Sequence, residues 1–123
     1  MERVTAALPD SYRAIIGSVG AAGYIPFEVV PAHLSKAVGI RAICEHVGIP
    51  LSHTVALGDS NNDVEAVATA AVGVSIGDDC EALVDVADIV APSVSEDGLA
   101  WALRAAGLTS DDPSGGQGLG DAR

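Results

Sequence analysis

The sequence predicts an α/β fold, a parallel sheet with helices packed on its faces. Three observations carry this. Short runs that are apolar on both sides recur along the chain as "TVALG", "VGVSI" and "DIVAP", as strands buried on both faces require. Between them lie stretches with helical spacing of apolar residues. The 49% hydrophobic content is built on Ala, Val, Ile and Leu with only 3% aromatic residues, which suits thin, close-packed layers. The 123 residues suffice for one hydrophobic core.

Taken in order, residues 9–19, "PDSYRAIIGSV", predict a short helix with Pro9 in its first turn and Tyr12, Ile15, Ile16 and Val19 on one face. "GAAG" ends it. "YIPFEVV" alternates, setting Ile25, Phe27 and Val29 on one face of a strand, and Pro26, which lacks an N–H, places that strand at or near an edge. "SKAVGIRAICEHVGI" is a helix with Ala37, Ile40, Cys44 and Val47 as its apolar stripe, Ser35 as N-cap and Gly48 as stop. The strand "TVALG" follows, then the helix "NNDVEAVATAA", the strand "VGVSI", the helix "DDCEALVDVA", the strand "DIVAP" and a last helix in "SEDGLAWALRAAG", capped by Ser95 and stopped by Gly107. Trp101 on that helix is expected to pack on the sheet. From Ser110 the Gly- and Asp-rich "SDDPSGGQGLGDAR" predicts a disordered tail.

A formal charge of −11 opposes nucleic-acid binding, since phosphate backbones attract basic surfaces. It leaves open a small phosphate held by one local cation. No apolar run reaches the roughly 18–20 residues of a membrane span, and the N-terminus lacks the apolar core of a signal peptide. Cys44 and Cys80 form no C-x-x-C pair and suit buried thiols in a reducing compartment. The expectation is a soluble cytoplasmic protein.

The chemistry concentrates in "GDSNND", residues 58–63. In open α/β sheets ligands sit beyond the carboxyl ends of the strands, and Asp59 falls there. Magnesium is a hard cation that prefers one or two protein carboxylates, several waters and a phosphate oxygen. Asp59 suits a direct ligand, while Asn62 and Asp63 suit binding its waters or orienting Asp59. Asn61 and Asp63 suit plain helix capping as well. Lys36 lies 23 residues before Asp59, in the first turn of a helix, where an ammonium would neutralise a phosphate or a neighbouring carboxylate nucleophile. His33, His46 and His53 have no metal-ligand spacing, although His33 is close enough to Lys36 to line the same pocket. Asp78 and Asp79 are expected to start a helix, and Glu96 and Asp97 to occupy the first turn of the last one.

Together, "HLSKAVGI", "GDSNND", "AVGVSIGDD" and "VADIVAPSVSEDGLAWAL" resemble the C-terminal part of haloacid dehalogenase superfamily phosphatases, of the Cof-like branch with a large cap domain. The resemblance covers about residues 24–106. It implies a partial Rossmann-like sheet, the rear half of the family's core, with residues 1–30 as a cap remnant, 31–108 as core and 109–123 as tail. It also implies phosphomonoester hydrolysis of a small phosphorylated metabolite through an aspartyl-phosphate on a D-x-D motif, with Mg2+. By position, Lys36 matches the lysine that contacts nucleophile and phosphate, Asp59 the direct metal ligand, and Asn62 and Asp63 the residues supporting metal and waters.

One departure is plain: no D-x-D occurs in the 123 residues, and Asp10 in "LPDSYRA" is a poor stand-in. The chain is therefore expected to be a truncated one, inactive alone. The family's nucleophile strand lies beside "TVALG", so that strand is expected to be a bare apolar edge that pairs with a missing N-terminal half or with a second copy. The alternative, from another class, is a non-catalytic assembly or regulatory module. A fragment of a cation-pumping ATPase, whose phosphorylation domain has a similar "GD-x-x-ND" loop, fits less well, because a cap-like strand precedes Lys36 and no membrane span is present.

Overall fold

The computed structural model describes residues 2–17 and 23–110. A single helical turn, α1 (Glu2–Thr5), leads into two antiparallel strands, β1 (Tyr12–Ile16) and β2 (Phe27–Pro31), with Ala14 opposite Val29. Helix α2 (Lys36–Val47) follows, and then three strands, β3 (Val55–Gly58), β4 (Val72–Ile76) and β5 (Ile89–Ala91), form a parallel sheet in the order β3-β4-β5. Helices α3 (Val64–Thr69) and α4 (Glu81–Val84) fill the crossovers, and α5 (Gly98–Ala105) closes the described chain. The α/β class and the parallel sheet with flanking helices are as the sequence predicts.

The two faces of the sheet carry separate small cores. On one, Ala56, Ala66, Val67 and Leu83 are buried together, with Ile40 of α2 packed against them. On the other, Val74 and Ala91 meet Ala102 of α5. Small residues at Ala56 and Ala66 let α3 lie close on β3. Gly73 lets the chain pass still closer, since a Cβ there would meet the Val67 backbone.

Residues 12–16 form a strand where the apolar spacing predicts a helix. The spacing of Tyr12, Ile15 and Ile16 fits a helical face, but β1 gains a full antiparallel ladder with β2, and tertiary pairing overrides a short periodicity. Val19, the last residue of the expected helical face, lies outside the described residues. β2 is a strand as expected, starting at Phe27 rather than Tyr24.

Helix α2 has the expected caps. Ser35 Oγ accepts from the Val38 N–H at 3.3 Å, and Gly48 takes the left-handed conformation at φ 72°, with the Ile49 N–H donating to Cys44 O at 3.0 Å. The last helix starts differently from the sequence expectation. Ser93, not Ser95, forms a capping box with Glu96 around a 3-10 turn at Val94–Glu96, and α5 begins only after Asp97, at φ 58°. Gly98 is required there, because any side chain would collide with the Pro92 carbonyl. Ala102 is the core residue of α5. Trp101, expected to pack on the sheet, stays 42% exposed. Cys44 and Cys80 are free and half-buried rather than buried. The stretch expected to be a disordered tail lies, from residue 111, outside the described residues.

Candidate functional site

The carboxyl ends of the three parallel strands deliver Asp59, the Gly77–Asp79 turn and Ser93 to one end of the sheet. Residues 61–63 form a 3-10 turn that runs straight into α3. Asp63 sits at this junction and is buried, 8% exposed. Its carboxylate does not cap α3. Oδ2 instead accepts the backbone N–H of Asp59 at 3.2 Å, turning the chain back on itself as β3 ends. The Ser60 hydroxyl donates to Asn62 Oδ1 at 2.7 Å and reaches Asp63 Oδ2 at 3.3 Å.

The other oxygen, Oδ1, pairs with the Lys36 ammonium from the first turn of α2. Lys36 and Asp63 are 27 residues apart in sequence. Lys36 is the chain's only lysine. Its side chain remains about half exposed, at 53%, so the ammonium is held by Asp63 and open to solvent at once. It lines, with Asn62, Ser35, Leu34 and Val38, a largely apolar groove of about 520 Å3 between the hairpin and α2. His33, exposed in the turn before α2, is not among the residues that line it.

The Asp59 carboxylate is exposed and makes no hydrogen bond or ion pair among the described residues. It opens on two cavities of about 270 and 450 Å3, and Asp79 lines both. Asp79 is a neighbour of Asp59 that linear spacing does not reveal. The histidines add nothing to this, since no group of three metal-binding side chains occurs among the described residues. What is present fits a magnesium ion that takes one carboxylate here and the rest of its oxygens from phosphate, water and a further carboxylate.

Four more residues shape the site. A side chain on Gly58 would run into Asp63. The Cys80 thiol donates to Asn61 Oδ1 at 3.3 Å, tying the start of α4 to the site loop. Arg13, on β1, donates to Glu65 Oε1 at 3.0 Å and to the Leu34 carbonyl at 2.9 Å. The Ser35 hydroxyl is the main cause holding the Glu65 carboxyl below its ordinary value; burial pushes the other way, and the charge and hydrogen bond of Arg13, each smaller than that push, add to the lowering. Gly58 was visible in the motif only as the end of a strand. Arg13 and Glu65 had no sequence signal, because their meeting depends on the hairpin.

Comparisons with known proteins bear on the family and the fold. The family model of haloacid dehalogenase-like hydrolases matches residues 1–103. The 5-amino-6-(5-phospho-D-ribitylamino)uracil phosphatase YitU of Bacillus subtilis is 32% identical over 84 residues, 68% of this chain and 31% of that protein. A solved subclass IIB sugar phosphatase superposes with a TM-score of 0.66 at 31% identity, over 78% of this chain and 36% of the other. A phosphatase of the same superfamily from Bacteroides thetaiotaomicron reaches a TM-score of 0.72 at 28% identity, over 88% and 38%. The chain thus spans about a third of the length of each of these relatives. Members of the superfamily generally use magnesium. No described helix is long and apolar enough to cross a membrane. With a family model across most of its length and subclass IIB phosphatases as structural neighbours, the chain belongs to the haloacid dehalogenase-like hydrolases, in their Cof-like phosphatase branch.

Proposed function

We propose that Lys36, Asp59, Asn62 and Asp63 form the phosphate- and metal-holding half of a magnesium-dependent phosphomonoester phosphatase site for a small phosphorylated metabolite. The observation that carries this reading is the convergence of Lys36 and Asp63, from two separate segments, beside Asp59 at the carboxyl end of β3. Asp63 has both oxygens engaged and serves as a positioning group: one oxygen holds the ammonium, the other fixes the backbone of Asp59. The Asp59 carboxylate is left free for a cation. When bound, magnesium would neutralise charge on the phosphoryl group. Lys36 presents its ammonium to phosphate oxygens and to the attacking carboxylate, lowering the repulsion between two anions. Asn62, beside Lys36 in the groove, supports the metal's waters.

The nucleophile is the missing half. No D-x-D lies in the 123 residues, so the carboxylate comes from a segment outside them, on the same polypeptide or another, and these residues alone are inactive. The described surface supports a further segment. Among the described residues β3 has a strand partner on one side only, and its second side suits pairing with that segment or with a second copy. Helix α2 contains no buried residue, and Leu34, Val38, Val47 and Ile49 are exposed along it and its ends. The two free thiols suit a reducing, cytoplasmic setting.

The same open edge favours the second reading, a non-catalytic assembly or regulatory module. Hydrolysis of p-nitrophenyl phosphate by the purified chain, with magnesium and with EDTA, beside Asp59→Asn, tests the proposal. No turnover in any sample is expected, together with magnesium binding that Asp59→Asn removes. Magnesium-dependent turnover lost in Asp59→Asn would mean that the nucleophile is present after all. Complete indifference to magnesium would favour the module.

A further inference from the structure

Arg13 belongs to the hairpin, yet its guanidinium touches both segments that build the site. The Leu34 carbonyl it binds at 2.9 Å lies two residues before Lys36, and the Glu65 carboxylate it binds at 3.0 Å lies two residues after Asp63. One planar fork therefore bridges the backbone leading into α2 and the first turn of α3. Those are the two pieces of chain that the Lys36–Asp63 pair also joins.

The second bridge matters because the first is weak on its own. An ion pair on a half-exposed lysine gains little in high dielectric, and the long side chain gains entropy by swinging into solvent. The pair also depends on the separation of the backbones that carry the two groups. Arg13 fixes that separation with two directed hydrogen bonds, a geometry a lysine's single ammonium cannot copy. It does so while its own Nε is buried without a hydrogen-bond partner among the described residues, a penalty that a side chain free to turn outward would avoid.

We propose that Arg13 is a positioning residue for the phosphate site, clamping the start of α2 to the start of α3 so that the Lys36 ammonium stays fixed on Asp63. The placement of the β1–β2 hairpin thereby sets the geometry of Lys36. The functional meaning of this clamp rests on the reading of Lys36 as the phosphate-holding group.

Because Lys36 is the only lysine, its side-chain carbon and ammonium signals are unambiguous in an NMR spectrum. The test measures the order parameter of Lys36 Cε in the native chain, Arg13→Ala, Arg13→Lys and Glu65→Ala, with amide exchange of Val74 and Leu83 as the control for an intact core. The clamp predicts that all three variants lower the order parameter by roughly half while core protection is kept. Arg13→Lys should fail to rescue despite its charge. An unchanged Lys36 order parameter in Arg13→Lys and Glu65→Ala overturns the proposal. A parallel titration with inorganic phosphate, native against Lys36→Ala, separates the two ideas. If Lys36→Ala binds phosphate as the native chain does, the phosphate reading fails, and the order parameter still decides the clamp.

Discussion

Gly58 ends β3 hard against Asp63: a methyl group on its Cα would lie 2.8 Å from the Asp63 carboxyl carbon and overlap the Asp63 Cβ. Glycine is therefore what lets a buried carboxylate turn back over the strand end and hold the Asp59 N–H and Lys36 at once. Gly58→Ala is expected to destabilise the fold by about 1–3 kcal/mol through overpacking. Urea denaturation measures it, and loss of the Lys36–Asp63 contact in NMR should accompany it.

Asp59 and Asp63 should respond oppositely to substitution. Asp63→Ala strips a buried acceptor from the Asp59 N–H and is expected to cost about 1–3 kcal/mol. The larger penalty of stranding a buried charge does not apply, because Lys36 is half exposed and can turn to solvent. Asp59→Asn changes an exposed side chain and should leave stability within about 0.5 kcal/mol. Magnesium affinity should nevertheless fall by about tenfold or more. Denaturation and calorimetric titration on the same two variants separate the positioning carboxylate from the binding one.

The free side of β3 gives a third prediction. In the 123-residue chain the strand should self-associate or aggregate through its unpaired side, and a segment pairing with β3 should slow the exchange of its amides. Light scattering with amide exchange at Val55–Gly58 checks this. A monodisperse monomer whose β3 amides exchange fast would contradict that association, and one whose β3 amides are all protected would count against the open edge.

Glu65 sets a pH dependence of known sign. Its folded carboxyl titrates below the ordinary value of 4.5, through the Ser35 hydroxyl first and then Arg13. Its contribution is therefore complete above the ordinary value and is lost as pH falls through the lowered one. The side chain is half exposed, at 50%, so solvent screening limits the effect to below about 1 kcal/mol. Denaturation of the native chain and Glu65→Gln should differ near neutral pH and converge at the acid end.

Much of the core was legible because its signals are local. "TVALG", "VGVSI" and "DIVAP" are short runs apolar on both sides, and they became β3, β4 and β5. Ser35 and Gly48 mark the ends of α2 by their own chemistry, and Asp59 follows from its place after a strand. What the sequence hid depends on partners distant along the chain. Residues 12–16 carry a helical spacing but pair with β2. Ser93 rather than Ser95 caps the last turn because Glu96 is the residue that reaches back to it. The separate duties of Asp59 and Asp63 emerge only once Gly58 is seen to admit Asp63, and Arg13 meets Glu65 only through the hairpin.

The central claim is that these residues hold the phosphate and the metal and lack only the nucleophile. The most direct measurement joins the chain to the D-x-D-bearing first half of a family phosphatase and follows p-nitrophenyl phosphate hydrolysis with magnesium, beside Lys36→Ala and Asp59→Asn. The account predicts no turnover from the 123 residues alone, magnesium-dependent turnover from the joined protein, and a loss of at least about a hundredfold in either variant. Turnover by the joined protein that is indifferent to both substitutions would contradict it.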